Sequence, residues 1–171
     1  MKNQMKKISA VALTALAVTS LTSSIFAADI TTETTGTTPI TYTVGPTFVV
    51  TIPETIAAST TANIEVPVTG NANMEPNKKL SVTIQLAESK VVLTRAGGAD
   101  TIDVSLKQAA TESEAGTPVA AAKTEVASFT NGTTNGVATK LFVNKLDAGT
   151  ISAKKAGAYT GNLTFTIAIV Q

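Results

Sequence analysis

Any chemistry in this chain would have to come from carboxylates and lysines. The 171 residues include no histidine and no cysteine. That removes Ser-His-Asp and Cys-His nucleophilic mechanisms, and zinc sites built on the usual His and Cys ligands. No GxGxxG or P-loop pattern is present, and Gly97-Gly98 reads as a turn rather than a phosphate cradle. The glutamates are Glu33, Glu54, Glu65, Glu75, Glu88, Glu112, Glu114 and Glu125. A glycosidase needs two carboxyl groups facing each other across a cleft. These eight are scattered over turns and polar strand positions, so they read as solvated surface. Asp100, Asp103 and Asp147 offer oxygens to calcium, but no DxDxDG loop gathers the ~6–8 oxygens that calcium takes. The reading is therefore no catalytic residue, no cofactor-binding residue, no metal ligand and no enzyme.

Sugar-binding surfaces commonly use aromatic platforms. Beyond the first 27 residues the aromatics are Tyr42, Phe48, Phe129, Phe142, Tyr159 and Phe165. Most fall at core parity in an alternating strand, which assigns them to packing. Tyr159, between two glycine-containing turns, reads as a tyrosine-corner type of lock near a strand start.

The elements around these residues read as strands. The closing stretch 154–171, KKAGAYTGNLTFTIAIVQ, is apolar at Leu163, Phe165, Ile167 and Ile169, with Thr164, Thr166 and Ala168 between them. A period of two gives a core face and a wetter face, and we take this as the strand around which the rest is arranged. The same alternation recurs at Leu80, Val82, Ile84 and Leu86, and at Ile102, Val104 and Leu106. Residues 40–44 (ITYTV), 48–52 (FVVTI), 62–68 (ANIEVPV), 91–95 (VVLTR), 125–130 and 138–144 complete the set. Gly45-Pro46, Pro53, the cluster 70–78 and the Gly-rich turn 96–100 punctuate it. Residues 108–123 and 145–155 read as long surface connections. No long apolar segment of period 3.6 follows residue 27. About eight or nine short strands at ~8–12-residue spacing predict an all-β chain, a Greek-key β-sandwich.

The N-terminus reads as an export signal. Lys2, Lys6 and Lys7 precede an apolar run over 8–21, and small residues around Ala27 and Ala28 suit cleavage after Ala27. The expected organisation is a signal peptide over 1–27, a polar Thr-rich leader over 28–38 and one sandwich domain over 39–171. Removing three of the 13 cations and none of the 12 acids moves the net charge from +1 to about −2. No basic patch remains to attract nucleic acid or, after cleavage, a membrane. Without cysteine, an exported domain rests on its core alone.

The ending AGAYTGNLTFTI, residues 156–167, is similar to the AGxYxGxLTFTI endings of small secreted Ig-like surface proteins of Gram-positive bacteria, including WxL-type and pilin-like sandwiches. TYTVGPTFVVTIPETI, residues 41–56, resembles their first strands. The chain has no tryptophan, so the WxL motifs and their peptidoglycan binding do not carry over. The resemblance implies an extracellular Ig-like fold, secreted and associated with the cell surface. The expected function is a non-enzymatic surface or structural protein, a subunit of a fibre or cell-wall layer. The alternative is a monomeric extracellular adhesin or ligand-binding module. The partners to expect are other copies through strand-mediated assembly, or cell-surface or host proteins or glycans. Residues 29–44 form a β-prone arm of the kind an open sheet edge accepts.

Overall fold

The computed structural model describes residues 10–15 and 40–171. The lysines Lys2, Lys6 and Lys7, the cleavage stretch around Ala27, the leader 28–38 and Glu33 lie outside the described residues. The fold is all-β, and every strand pair is antiparallel. The strands are β1 (Ala10–Ala15), β2 (Thr47–Pro53), β3 (Ile64–Val66), β4 (Thr69–Asn73), β5 (Lys79–Ile84), β6 (Val91–Arg95) and β7 (Thr101–Val104). They continue as β8 (Leu106–Ala109), β9 (Thr117–Pro118), β10 (Thr124–Phe129), β11 (Asn131–Gly132), β12 (Lys140–Val143), β13 (Tyr159–Thr160) and β14 (Phe165–Val170). One short helix, α1 (Ala148–Ser152), interrupts the connection 145–155.

Four sheets result: β1-β2-β4-β11, β10-β5-β14, β3-β12-β8-β9 and β13-β6-β7. Single residues join them pairwise. Thr130 separates β10 from β11, and Ser105 separates β7 from β8. The chain thus passes from one sheet to another across a single residue, in a sandwich-like arrangement around one core. Val50, Val66, Leu80, Val82, Ile84, Leu106, Val126, Phe129 and Leu141 contribute to that core from six strands, and none exceeds 3 % exposure. The eight or nine expected strands appear as more, shorter pieces: Ser105 breaks the run 101–107 in two, and β4, β9 and β11 form in stretches expected as turns or connections.

The organising strand is β5 rather than β14. β5 has a partner on each side, β10 and β14, and its residues 80–84 are buried on both faces. β14 pairs with β5 alone, and Ile169 on it stays 40 % exposed. The alternation of residues 163–169 correctly marks a strand, but a period of two cannot distinguish an edge from a centre.

Two further differences have local causes. Within the stretch 70–78, expected as a turn cluster, the structure places β4, between β2 and β11. The ring of Phe129 lies over Gly70, where an added Cβ would come 2.8 Å from Cε2. A residue of low strand propensity is tolerated there because the ring supplies the packing. Residues 40–44, expected as the first strand, pair with nothing: Ile40 is 97 % exposed, Tyr42 90 % and Val44 63 %. The edge of β2 that they might have joined is occupied by β1.

Candidate functional site

Each described carboxylate that sequence reading singled out as a possible acid, base or ligand, Glu54 apart, has a structural partner. Glu65 pairs with Lys140 at 3.0 Å, Glu75 with Lys78 at 2.6 Å and Glu125 with Lys79 at 2.8 Å. Glu88 lies 3.3 Å from Lys90, which also holds Asp103 at 2.8 Å. Glu112 accepts from the Asn63 backbone N–H at 3.1 Å, and Glu114 from that of Ala110 at 3.1 Å. Asp100 accepts from Arg95 Nε at 2.9 Å. Asp147 caps α1, its Oδ2 accepting from the Thr150 N–H at 2.6 Å. That backbone hydrogen bond, with a smaller contribution from the Thr150 side chain, holds the Asp147 carboxyl below its ordinary value. The three aspartates weighed for calcium are thus held by different partners. Among the described residues, no three His, Cys, Asp or Glu side chains gather as a metal would require.

Among the described residues Lys107 is the buried cation, at 7 % exposure. Its ammonium donates to the backbone carbonyls of Glu112 at 2.8 Å and of Glu114, and lies 5.9 Å from the centre of the Phe142 ring. The parity of 102–106 places Lys107 on the outward face. It is buried because the loop that follows β8 folds over it and offers carbonyl oxygens. Its environment contains acceptors but no reaction partner, so it fastens the connection 110–118 to the sheet.

The ending 156–167 is explained by local packing. Gly157 has φ +150°, a backbone region where an L side chain is strained. The Tyr159 hydroxyl donates to the Lys155 carbonyl at 2.9 Å, locking the entry to β13. At Gly161 the chain passes so close to β6 that a Cβ would sit 2.6 Å from the Val92 carbonyl oxygen. The glycines and the tyrosine of this ending therefore build a bend.

One cavity of about 850 Å³ opens between the segment 52–58 and strands β6, β7 and β13 with the approach to β14. Ile56, Leu93, Ile102, Leu106, Leu163 and Phe165 give it an apolar wall. Glu54 is the one carboxylate on its rim, and the Tyr159 hydroxyl there is already engaged. A space of this kind can take an apolar group.

The second feature is the edge of β2. Six residues of β1 pair antiparallel with it, from Ala10 opposite Pro53 to Ala15 opposite Phe48. On the far side β2 pairs with β4. The edge that β1 covers is thus one that takes a strand, and sequence reading anticipated only the general idea of an open edge, without locating it. No family model, no curated protein and no solved structure matches the chain.

Proposed function

We propose that this chain is an exported Ig-like sandwich that serves as a non-enzymatic structural subunit of a bacterial surface layer or fibre. The observation that carries the reading is the β-prone arm 40–44, left exposed directly before a strand whose outer edge accepts a partner. Ile40, Tyr42 and Val44 form a row of large apolar side chains in solvent, at 97 %, 90 % and 63 % exposure, and it is such grouping rather than any single residue that suggests a contact surface. The carboxylates support the same reading, since their partners are lysines, arginine and backbone N–H groups that hold the fold together. The signal-like N-terminus and the Thr-rich polar leader support the export that this reading requires.

The test is to recover the protein from the producing culture by fractionation and identify its N-terminal residue. The reading requires it in the envelope or medium, beginning at Ala28. Recovery from the cytosol with residues 1–27 attached would end it. The second reading, a monomeric ligand-binding module, is favoured by the apolar cavity beside Leu93 and Phe165. It predicts that an apolar probe such as 1-anilinonaphthalene-8-sulfonate is bound there by a protein that stays monomeric at all concentrations.

A further inference from the structure

The geometry points to a strand exchange between copies of this chain, in which the arm 40–44 of one copy replaces β1 on β2 of the next. The inference rests on the structural-subunit reading and adds the partner, the register and the event that allows assembly. Three observations carry it. First, the edge is demonstrably strand-accepting, because β1 occupies it over six consecutive pairs. Second, β1 belongs to the first 27 residues. Their removal on export would strip β2 of that partner and expose a row of unpaired N–H and C=O groups, which sheets do not leave open without consequence. Third, the arm has the pattern the edge requires.

Register fixes the match. Core-side residues of β2 are Phe48, Val50 and Ile52. In β1 the residues in register with them are Ala15, Leu13 and Val11, all apolar. The arm repeats that spacing with Ile40, Tyr42 and Val44. Placed antiparallel, it sets Ile40 opposite Ile52, Tyr42 opposite Val50 and Val44 opposite Phe48. Thr41 and Thr43 then fall opposite Thr51 and Val49 on the outer face. Slipping this pairing by one residue would move the apolar set to the wrong face. Pro39 and Pro46 bracket the arm, leaving the stretch between them with every backbone N–H available to the ladder.

The arm cannot readily serve its own β2. In that register the intervening loop would be Gly45-Pro46-Thr47. A three-residue hairpin asks its first residue for the right-handed helical region and its third for the left-handed one. A residue before proline is pushed out of the helical region, and a β-branched threonine is a poor occupant of the left-handed one. The acceptor that remains is β2 of a second copy. Repeated head to tail, the exchange does not close on itself and extends as a fibre. Until residues 1–27 are removed, β1 holds the edge shut.

Disulfide trapping tests this directly, because the chain has no cysteine of its own. Single variants Thr43→Cys, Val49→Cys, Thr51→Cys and Thr166→Cys are made in residues 28–171 and mixed in pairs under mild oxidation. Thr43→Cys should cross-link to Val49→Cys, or to Thr51→Cys if the register slips by two, in clear excess over any self-mixture. With residues 1–27 retained the yield should fall on the order of 100-fold, since a tethered strand acts at ~mM effective concentration against about 10 μM of competing chain. Cross-linking to Thr166→Cys on β14 would overturn the proposal by naming the other edge. Closure within a single Thr43→Cys/Val49→Cys chain would overturn it by showing that the arm folds back, and absence of any selective cross-link would also overturn it. A failed exchange in a protein still found outside the cell leaves the structural reading standing, whereas cytosolic recovery with residues 1–27 intact removes that reading itself.

Discussion

Gly70→Ala examines how β4 is held in its sheet. Gly70 lies within the β2-β4 pairing, opposite Val50, and the Phe129 ring covers it. A Cβ there would stand 2.8 Å from Cε2 and 3.0 Å from both Cδ2 and Cζ. Contacts this short force the ring to move, and Phe129 is 1 % exposed, so it has little room. Overpacking of this kind costs ~1–3 kcal/mol. Glycine replacement returns ~0.4–1 kcal/mol by stiffening the unfolded chain, because Gly70 is not at positive φ. The net loss should be about 1–2 kcal/mol, which lowers the urea midpoint by about 0.5–1 M for a slope near ~2 kcal/mol/M. Phe129→Leu withdraws the ring edge from Gly70. The double variant should therefore lose less than the two single variants together, with a coupling of about 1 kcal/mol. Equilibrium urea unfolding followed by circular dichroism measures all four proteins. A Gly70→Ala protein as stable as the parent, or strict additivity in the double variant, would refute the packing described for this strand.

Three other outcomes follow from named contacts. Lys107→Met removes the donor to the Glu112 and Glu114 carbonyls, and should lower stability by ~1.5–3 kcal/mol; limited proteolysis should then cut first within 110–118. Asn135→Ala leaves the Ser128 N–H, otherwise bonded at 2.9 Å to Asn135 Oδ1, without its acceptor, at a cost of ~1–3 kcal/mol; Asn135→Asp, which keeps an acceptor, should lose less in the same unfolding assay. Asp147 carries a carboxyl whose folded value is lowered, chiefly by the Thr150 N–H. Its stabilisation is therefore present above the unfolded carboxylate value and is lost as pH falls through the lower folded one. The difference in melting temperature between the parent and Asp147→Ala should be largest near neutral pH and vanish in acid, and a pH-independent difference would contradict the cap.

The strands that alternate strongly were legible in the sequence, and the reason is physical. Leu80, Val82 and Ile84 form a run at 0–1 % exposure, and Ile102, Val104 and Leu106 are buried as their spacing predicts. β4 was not legible, because the group that makes TGNAN a strand is Phe129, distant in sequence and invisible to any local pattern. The burial of Lys107 was not legible for a similar reason: the carbonyls that cover it come from the loop after β8. Of the site, the unpartnered apolar rhythm of Ile40, Tyr42 and Val44 was visible as a β-prone arm. Its acceptor was hidden, since the strand that marks the edge of β2 lies within the stretch that reads as an export signal. The carboxylates could be judged dispersed, but their individual partners, such as Lys140 for Glu65, depend on which strands become neighbours.

Amide hydrogen exchange on residues 28–171, compared between dilute protein and concentrated protein, tests the central claim most directly. New protection should appear together on two segments, 40–44 and β2, and β14 should be unchanged. Protection gained on β14 instead, or on neither segment while the protein nonetheless self-associates, would contradict the account.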